Sequence, residues 1–262
     1  MSGIGWAYAP AVTSFVLGRL ADESQLMVSV RRLAAWVGEG RAVTPKGVLR
    51  PGDVPAAATA LRVDVPARVR TAADVEVIHR AWVAAQAVGL VSVTAGRAVA
   101  VPASGGDRLQ WWWSAVTAVL RAESHDDRRR GAAVLCRMLL SLLAADQPPA
   151  AGELEEAVHG LLLKQADYGE ADAVYQAFRR GVMPVGAGME LLGQVGAVDG
   201  KGRITSLGGW VRERLDAEAP PPVTPELSAA DLLARLVMLP DDEVWRQAGR
   251  WLSGARGGEG RR

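Results

Sequence analysis

The fold is decided by residues 74–101, DVEVIHRAWVAAQAVGLVSVTAGRAVAV. The first half carries an apolar stripe at helical spacing, formed by Val75, Ile78, Trp82 and Ala85. Gly89 is placed to end this helix, because glycine is favoured where a chain leaves a helix in the left-handed conformation. The runs LVSV and AVAV then alternate around Gly96 with the period of two that is typical of a half-buried hairpin. We therefore predict a helix from about residue 72 to Gly89 that leads directly into two antiparallel strands.

A shortened copy of this stretch follows at residues 189–205, MELLGQVGAVDGKGRIT. Five positions match in order: Val88, Gly89, Val91, Gly96 and Arg97 correspond to Val195, Gly196, Val198, Gly202 and Arg203. A helix followed by such a hairpin is the closing half of a winged helix. The helical patterns at 25–37 and 52–61, with a short β-like run between them, supply the opening half of the first copy. The expected fold class is mainly α with small β-hairpins, in tandem winged-helix-like modules plus a C-terminal helical segment.

The chain is long enough for about two domains with separate cores. The segment PASGGD after the first hairpin is the clearest linker, and a proline run at 220–222 predicts a semi-rigid spacer. These breaks predict six parts: an N-terminal segment (1–24), winged-helix-like module one (25–103), a Trp-rich connecting helix and turn (104–130), winged-helix-like module two (131–218), a C-terminal helical pair (219–252) and a flexible tail (253–262).

The composition is that of an ordinary globular protein, with 49% hydrophobic and 23% charged residues. The formal net charge is +1, so no global field would hold the chain on phosphate, and nucleic-acid binding would need a local basic patch. Cys136 is the only cysteine, which excludes an intrachain disulfide and a cysteine metal cage. Apolar runs are interrupted well before 18 residues, and the first residues lack the basic character of a secretory signal. We expect a cytoplasmic protein that does not cross a membrane.

The sequence contains no pattern that indicates catalysis. It has no complete nucleotide-binding glycine fingerprint, no phosphate-binding loop and no Gly-x-Ser-x-Gly nucleophile turn. The histidines His79, His125 and His159 have no partners at metal-ligand or catalytic-triad spacing. We therefore predict a protein without enzymatic activity, with no catalytic, cofactor-binding or metal-binding residues.

Module one partly fits a DNA-binding protein, in which a recognition helix meets base edges while Arg and Lys hold phosphates. The candidate nucleic-acid-binding residues lie on or beside the helix in the opening stretch: Arg68, Arg70, His79, Arg80, Gln86 and Arg97. Asp74 and Glu76 oppose this hypothesis, because they place negative charge at the end that would approach phosphate. The matching helix of module two carries no basic residue at all. The first hypothesis is a DNA-associated regulator that contacts double-stranded DNA through module one.

The alternative hypothesis is a protein-interaction scaffold or self-assembling adaptor with no direct DNA binding. Three consecutive tryptophans, Trp111, Trp112 and Trp113, point in three directions around one helix and cannot all face one core. At least one should contact the other module, the N-terminal segment or a partner protein. Together with Trp245 and Trp251 in the C-terminal helical pair, they are the candidate partner-binding residues.

Three segments spanning about residues 30–215 are distinctive: RRLAAWVGEGRAVTPKGVLRPGDV, HRAWVAAQAVGLVSVTAGRAVAV and GRITSLGGWVRERL. Together they resemble a group of uncharacterised winged-helix-containing proteins of GC-rich bacteria. The specific part is a Trp-Val-Gly-Glu-Gly-Arg-x-x-Thr segment at residues 36–44. The resemblance implies the winged modules and brings no catalytic residues with it.

Overall fold

The computed structural model describes residues 8–65, 69–103, 105–125, 132–165, 184–218, 228–230 and 232. This part is mainly helical and contains a small three-stranded antiparallel sheet, so the predicted class, mainly α with a small β part, is confirmed. The chain groups into two compact units, Met1–Asp216 and Ala217–Arg262. Both copies of the helix-to-hairpin stretch lie in the first unit.

Two helices form the start of the described chain, α1 (Tyr8–Glu23) and α2 (Gln25–Val37). Ser24 separates them, as its hydroxyl accepts the Met27 N–H at 3.4 Å and donates to the Ala21 carbonyl at 2.7 Å. The inward stripe of α2 consists of Leu26, Val30, Leu33 and Val37, all at most 3% exposed. Full burial of such a side chain stabilises the fold by about 1.5–3 kcal/mol. α2 therefore forms one wall of the core.

Residues 36–44 turn the chain from α2 into the first strand, β1 (Arg41–Ala42). Gly38 ends α2 with φ of 54°, a value that glycine adopts without strain. The guanidinium of Arg41 lies 4.4 Å from the centre of the Trp36 ring and donates to the Trp36 carbonyl. Thr44 opens the following turn, where its hydroxyl accepts the Val48 N–H at 3.3 Å. These residues thus have local structural roles.

The helix of the opening stretch is α4 (Glu76–Ala87), preceded by the short helix α3 (Val54–Leu61). The Asp74 carboxylate accepts the backbone N–H groups of Arg70 and Thr71 at 2.8 and 3.0 Å, which holds a single 3₁₀ turn at Ala72–Asp74. Helical geometry therefore begins near residue 72 as predicted, but the α-helix itself starts at Glu76.

The predicted hairpin is confirmed as β2 (Val91–Thr94) and β3 (Arg97–Ala100). The two strands are antiparallel, with Val91 opposite Ala100 and Thr94 opposite Arg97. β1 pairs with the other edge of β3, so the strand order is β1-β3-β2. The element order over residues 25–100 is helix, strand, helix, helix, strand, strand.

The remaining helices are α5 (Arg108–His125), α6 (Ala132–Leu143), α7 (Leu154–Gln165), α8 (Val185–Gln194) and α9 (Ser206–Glu218). One continuous apolar core runs through them and through α1–α4, and it includes Trp82, Trp112, Leu139 and Leu191. The predicted helix at 170–180, the spacer at 220–222 and the tail lie outside the described residues, as does most of the predicted pair at 228–252.

The second copy does not form the two strands that its sequence predicts. Between α8 and α9 the described chain contains one isolated β-bridge, Val198 to Ile204. The turn is held instead by Asp199, whose carboxylate accepts the N–H groups of Lys201 and Arg203 at 2.9 Å and also pairs with the Arg203 guanidinium. α9 begins at Ser206, so the chain turns into a helix before a second strand can extend.

Candidate functional site

Arg80 is one of the candidate nucleic-acid-binding residues, a role that requires an exposed side chain, and its burial contradicts this prediction. Its side chain is 2% exposed and lies in the interior of the first unit. The reason is the packing of α4: Arg80 lies one turn before the buried Ala84 and faces α5, where its side chain meets Glu123. Burial of an arginine is tolerated only when its charge and its N–H groups are satisfied by partners.

All three guanidinium nitrogens of Arg80 donate to side chains from three helices. Nε donates to Glu123 of α5 at 2.9 Å, Nη1 to the amide oxygen of Gln194 of α8 at 3.0 Å, and Nη2 to Glu76 of α4 at 2.8 Å. Gln194 in turn donates to Glu190 at 2.9 Å, and the Glu190 carboxylate lies 4.0 Å from Arg80 Nη1. We call these five residues the Arg80 clamp. They join the helix of the first copy to the helix of the second.

The residues of the Arg80 clamp differ in solvent exposure, from buried to half-exposed. Glu123 is 1% exposed and Gln194 5%, whereas the side chains of Glu76 and Glu190 are 36% and 57% exposed. Removing one partner from a buried ion pair leaves an uncompensated charge and typically costs about 3–5 kcal/mol. The clamp therefore depends on Arg80 and Glu123 being present together.

The partners of Arg80 were not predicted from the sequence, although the pattern of α5 indicates one of them, Glu123. Glu123 continues the buried stripe of α5 that includes Val116, Val119 and Leu120, so a carboxylate stands where an apolar residue would be expected. An acidic residue at such a position indicates a buried cationic partner. Gln194 likewise continues a buried stripe, since it lies one turn after Leu191 on α8. The sequence does not indicate that its partner, Arg80, lies 114 positions away.

Cys136 on α6 lies near the clamp and is not a reactive thiol. It is buried, and burial raises the pKa of the thiol to about 12, although the nearby Arg80 charge acts in the opposite direction. The thiolate is the nucleophilic form of cysteine, and it is essentially unpopulated at neutral pH with such a pKa. Cys136 packs as a small apolar residue.

The tryptophans of α5 join this connecting helix to the second copy and to α9. Trp112 is fully buried, and its indole N–H donates to the Val195 carbonyl at the end of α8 at 3.1 Å. Trp113 is 4% exposed and meets Trp210 of α9 edge to face, with ring centroids 5.4 Å apart. The alternative that a tryptophan contacts the other module is therefore the one observed for Trp112. Trp111 is half-buried, and Trp245 and Trp251 lie outside the described residues.

The other candidate nucleic-acid-binding residues are spread along module one. Arg70 is exposed and precedes α4, whereas Gln86 is exposed near its far end, so about 15 Å of helix separates the two. Arg97 is exposed on β3, where its guanidinium lies over Gly40, with Nη2 2.8 Å from the position of a Cβ built there. His79 is half-buried, and Arg68 lies outside the described residues.

The start of α4 keeps the negative charge that opposes contact with phosphate. Hydrogen bonds from the backbone N–H groups of Thr71 and Arg70 lower the pKa of Asp74 below its ordinary value of 3.8. Asp74 therefore remains ionised beside Arg70 at neutral pH. Glu76 differs, because its carboxylate pairs with Arg80 at 2.8 Å. Only one of the two acids at this helix end is thus offset by a positive charge of the clamp.

The solvent-facing side of α4 carries no basic side chain other than a histidine. Its exposed or half-exposed residues are Glu76, Val77, His79, Val83, Gln86 and Ala87. The single arginine of the helix is turned inward to the clamp. A DNA-contacting helix usually presents arginine, lysine, asparagine or glutamine to the groove, and here only Gln86 is of that kind.

The described residues contain no group of three or more His, Cys, Asp or Glu side chains that could hold a metal ion. Among the same residues, no helix has the length and apolar character needed to cross a lipid bilayer. No protein-family model matches the sequence, and no similar protein was found among curated sequences or solved structures.

Proposed function

We propose that the chain is a non-enzymatic protein of two winged-helix-like modules that acts by binding another protein. The element order over residues 25–100 and the strand order β1-β3-β2 support a winged helix for module one. The same helix ending and glycine turn in residues 185–205 support a reduced second module, in which α9 replaces the last strand. The fold by itself does not determine the partner, which depends on the exposed surfaces.

The observation that favours a protein partner over DNA is the burial of Arg80, the only arginine of α4. The guanidinium of Arg80 is held by Glu123, Gln194 and Glu76, so it is withdrawn from the surface that would meet a phosphate backbone. The remaining exposed side of α4 has one carboxylate and two valines beside His79 and Gln86. Such a mixed surface suits a protein better than a polyanion.

An apolar site on α1 supports the same proposal. Phe15 is 74% exposed and the adjacent Val16 is 43% exposed, and both belong to the small set of large hydrophobic side chains that the described chain leaves in water. Aromatic residues are enriched in protein interfaces, where burial of a ring provides much of the binding energy. α1 is therefore the part of the described surface that we expect to contact a protein partner.

DNA association remains a second candidate because Arg70 and Arg97 are both exposed. Lys46 and Arg50, in the segment between β1 and α3, are exposed as well. These four cations belong to module one and could contact phosphates without any base contact from α4. Binding of this kind would be independent of sequence and strongly weakened by salt.

Fluorescence anisotropy on a random labelled duplex separates the two candidates. With the whole protein, we expect no saturable binding at low salt. Binding that weakens steeply with salt would overturn the proposal if it is lost in Arg70→Ala/Arg97→Ala and kept in Lys201→Ala/Arg203→Ala. The control variant also removes two positive charges, but from the second copy. A general effect of lost charge would therefore reduce binding equally in both variants.

Photo-crosslinking tests the protein contact directly. A variant with a benzophenone amino acid in place of Phe15, expressed in the organism of origin and irradiated, should give a discrete crosslinked protein adduct. The matched control is Ser141, an exposed position on α6. Equal and diffuse labelling from the two positions would contradict a partner site on α1.

A further inference from the structure

The Arg80 clamp includes three of the buried polar side chains of the described residues, Arg80, Glu123 and Gln194, and it joins the helices of the two copies. Arg80 belongs to the helix before the first hairpin, and Gln194 is the last residue of the helix before the second. Glu123 of α5 completes the contact from the connecting helix. Each copy and the connection between them thus contribute one buried polar side chain.

A buried ion pair is seldom a net source of stability, because desolvation of the two charges offsets most of their attraction. Its directional hydrogen bonds have a different effect. Two of the donors on this planar guanidinium bond to side chains of α5 and α8, at fixed angles, so both are satisfied only when these helices hold one position relative to α4. An apolar contact has no such angular requirement, because side chains can slide and repack at small cost.

A second contact with the same directional character reinforces this view. The indole of Trp112 donates to the Val195 carbonyl at 3.1 Å, one residue beyond Gln194. Gly196 then brings the chain close to the junction of α1 and α2, where a Cβ built on Gly196 would be 3.3 Å from Ser24 Cβ. The end of α8 is therefore held by polar contacts at the point from which the second turn projects.

We infer that the Arg80 clamp fixes the spacing and orientation of the two turns that follow the clamped helices, at residues 94–97 and 199–203. The inference goes beyond the proposed function, because it holds whether the partner is a protein or a nucleic acid. The clamp acts on geometry, and its loss changes the distance between the turns more than it changes folding.

Distance measurements between spin labels test the inference. Labels at Thr94→Cys and Lys201→Cys occupy exposed positions in the two turns, and the buried Cys136 is protected from labelling. The parent should give a single narrow distance distribution. In Arg80→Met/Glu123→Leu, which removes both charges at similar volume, we expect the distribution to at least double in width while cooperative unfolding is retained.

A surface ion pair provides the matched control. Arg19 Nε lies 3.8 Å from the Glu23 carboxylate, one turn further along α1, with 63% and 65% of the side chains exposed. Arg19→Met/Glu23→Leu removes an Arg–Glu pair within one helix and outside the clamp, and it should leave the distribution narrow. A parent-like distribution in Arg80→Met/Glu123→Leu would overturn the inference.

Gln194→Met keeps the experiment decisive if the double variant does not fold. This change removes the contribution of the second copy alone and leaves Arg80 paired with Glu123 and Glu76. We expect a wider distribution here as well, by a smaller factor. A width unchanged from the parent would contradict the proposal.

Discussion

The two copies of the helix-to-hairpin stretch end their helices in the same way and then diverge. Gly89 has φ of 72° and Gly196 φ of 80°. In each copy the next N–H, from Leu90 or Ala197, donates to the carbonyl five residues earlier, at 2.9 and 2.8 Å. This helix ending needs only a left-handed glycine and the residues of the last turn. Its recurrence teaches that the stop signal is local.

The strands beyond that ending depend on their neighbours. In the first copy β3 lies between β2 and β1, and both edges of the strand are hydrogen-bonded. In the second copy the single bridge at Val198 and Ile204 has no third strand beside it among the described residues, and α9 packs there instead. An isolated two-stranded hairpin is at best marginally stable in water. The difference therefore comes from what lies next to each hairpin.

The largest expected effect on stability is at Gly208, where α9 comes closest to the second turn. A Cβ built on Gly208 would lie 2.7 Å from Ile204 Cγ1 and 2.9 Å from the carbonyl carbon of Ala197. The backbone atom cannot move aside, so Gly208→Ala should destabilise the fold by about 1–3 kcal/mol, as overpacking does. Urea unfolding measures the change.

The neighbouring glycine is the matched control. A Cβ on Gly209 would meet nothing within 4 Å, and alanine is favoured over glycine in a helix. Gly209→Ala should therefore stabilise the protein by about 0.8–1 kcal/mol. Equal effects of the two substitutions would contradict the view that α9 closes the second copy.

In the turn of the first hairpin we expect a substitution to stabilise the fold, by less than Gly208→Ala destabilises it. Ala95 and Gly96 both have positive φ, 50° and 75°, which matches a type I′ turn that prefers Asn-Gly. Ala95→Asn should raise the free energy of unfolding by about 0.5–1 kcal/mol, because asparagine tolerates this conformation better than alanine. Ala42→Asn, at an exposed position of β1, should not stabilise the protein. Thermal unfolding of both variants checks the difference.

The turn of the second copy should show a local dependence on pH that the first turn lacks. Hydrogen bonds from the backbone and then the guanidinium of Arg203 lower the pKa of Asp199 from 3.8 to about 2. A carboxyl with a lowered pKa stabilises the folded turn above pH 4, and the contribution is lost as pH falls from about 4 to 2.

Amide resonances observed between pH 5 and pH 2 can detect this loss. We expect Lys201 and Arg203 to shift with a midpoint near the pKa of Asp199, while Ala95 and Gly96 stay constant. In Asp199→Asn the shift should disappear. A titration of the same size at both turns would show that the carboxylate does not hold the second turn.

Much of the fold could be predicted from local sequence signals. The bounds of α2 and of the strands β2 and β3 follow the predicted patterns closely, since hydrophobic spacing and a glycine turn are properties of neighbouring residues. The site could not be predicted in the same way. Arg80 looked exposed because a lone arginine on an amphipathic helix usually is, and its partners Glu123 and Gln194 lie 43 and 114 positions away.

The ends of the helices at Gly89 and Gly196, the turn of the first hairpin and the repeat of the helix-to-hairpin stretch can be recognised in the amino-acid sequence. These features depend on backbone conformations that single residues such as Gly89 and Gly196 favour. The burial of Arg80, the contact of Trp112 with Val195 and the packing of α9 on the second turn could be learned only from the folded protein. Those outcomes depend on contacts between distant segments, and burial of a charge is acceptable only after its partners have been brought to it.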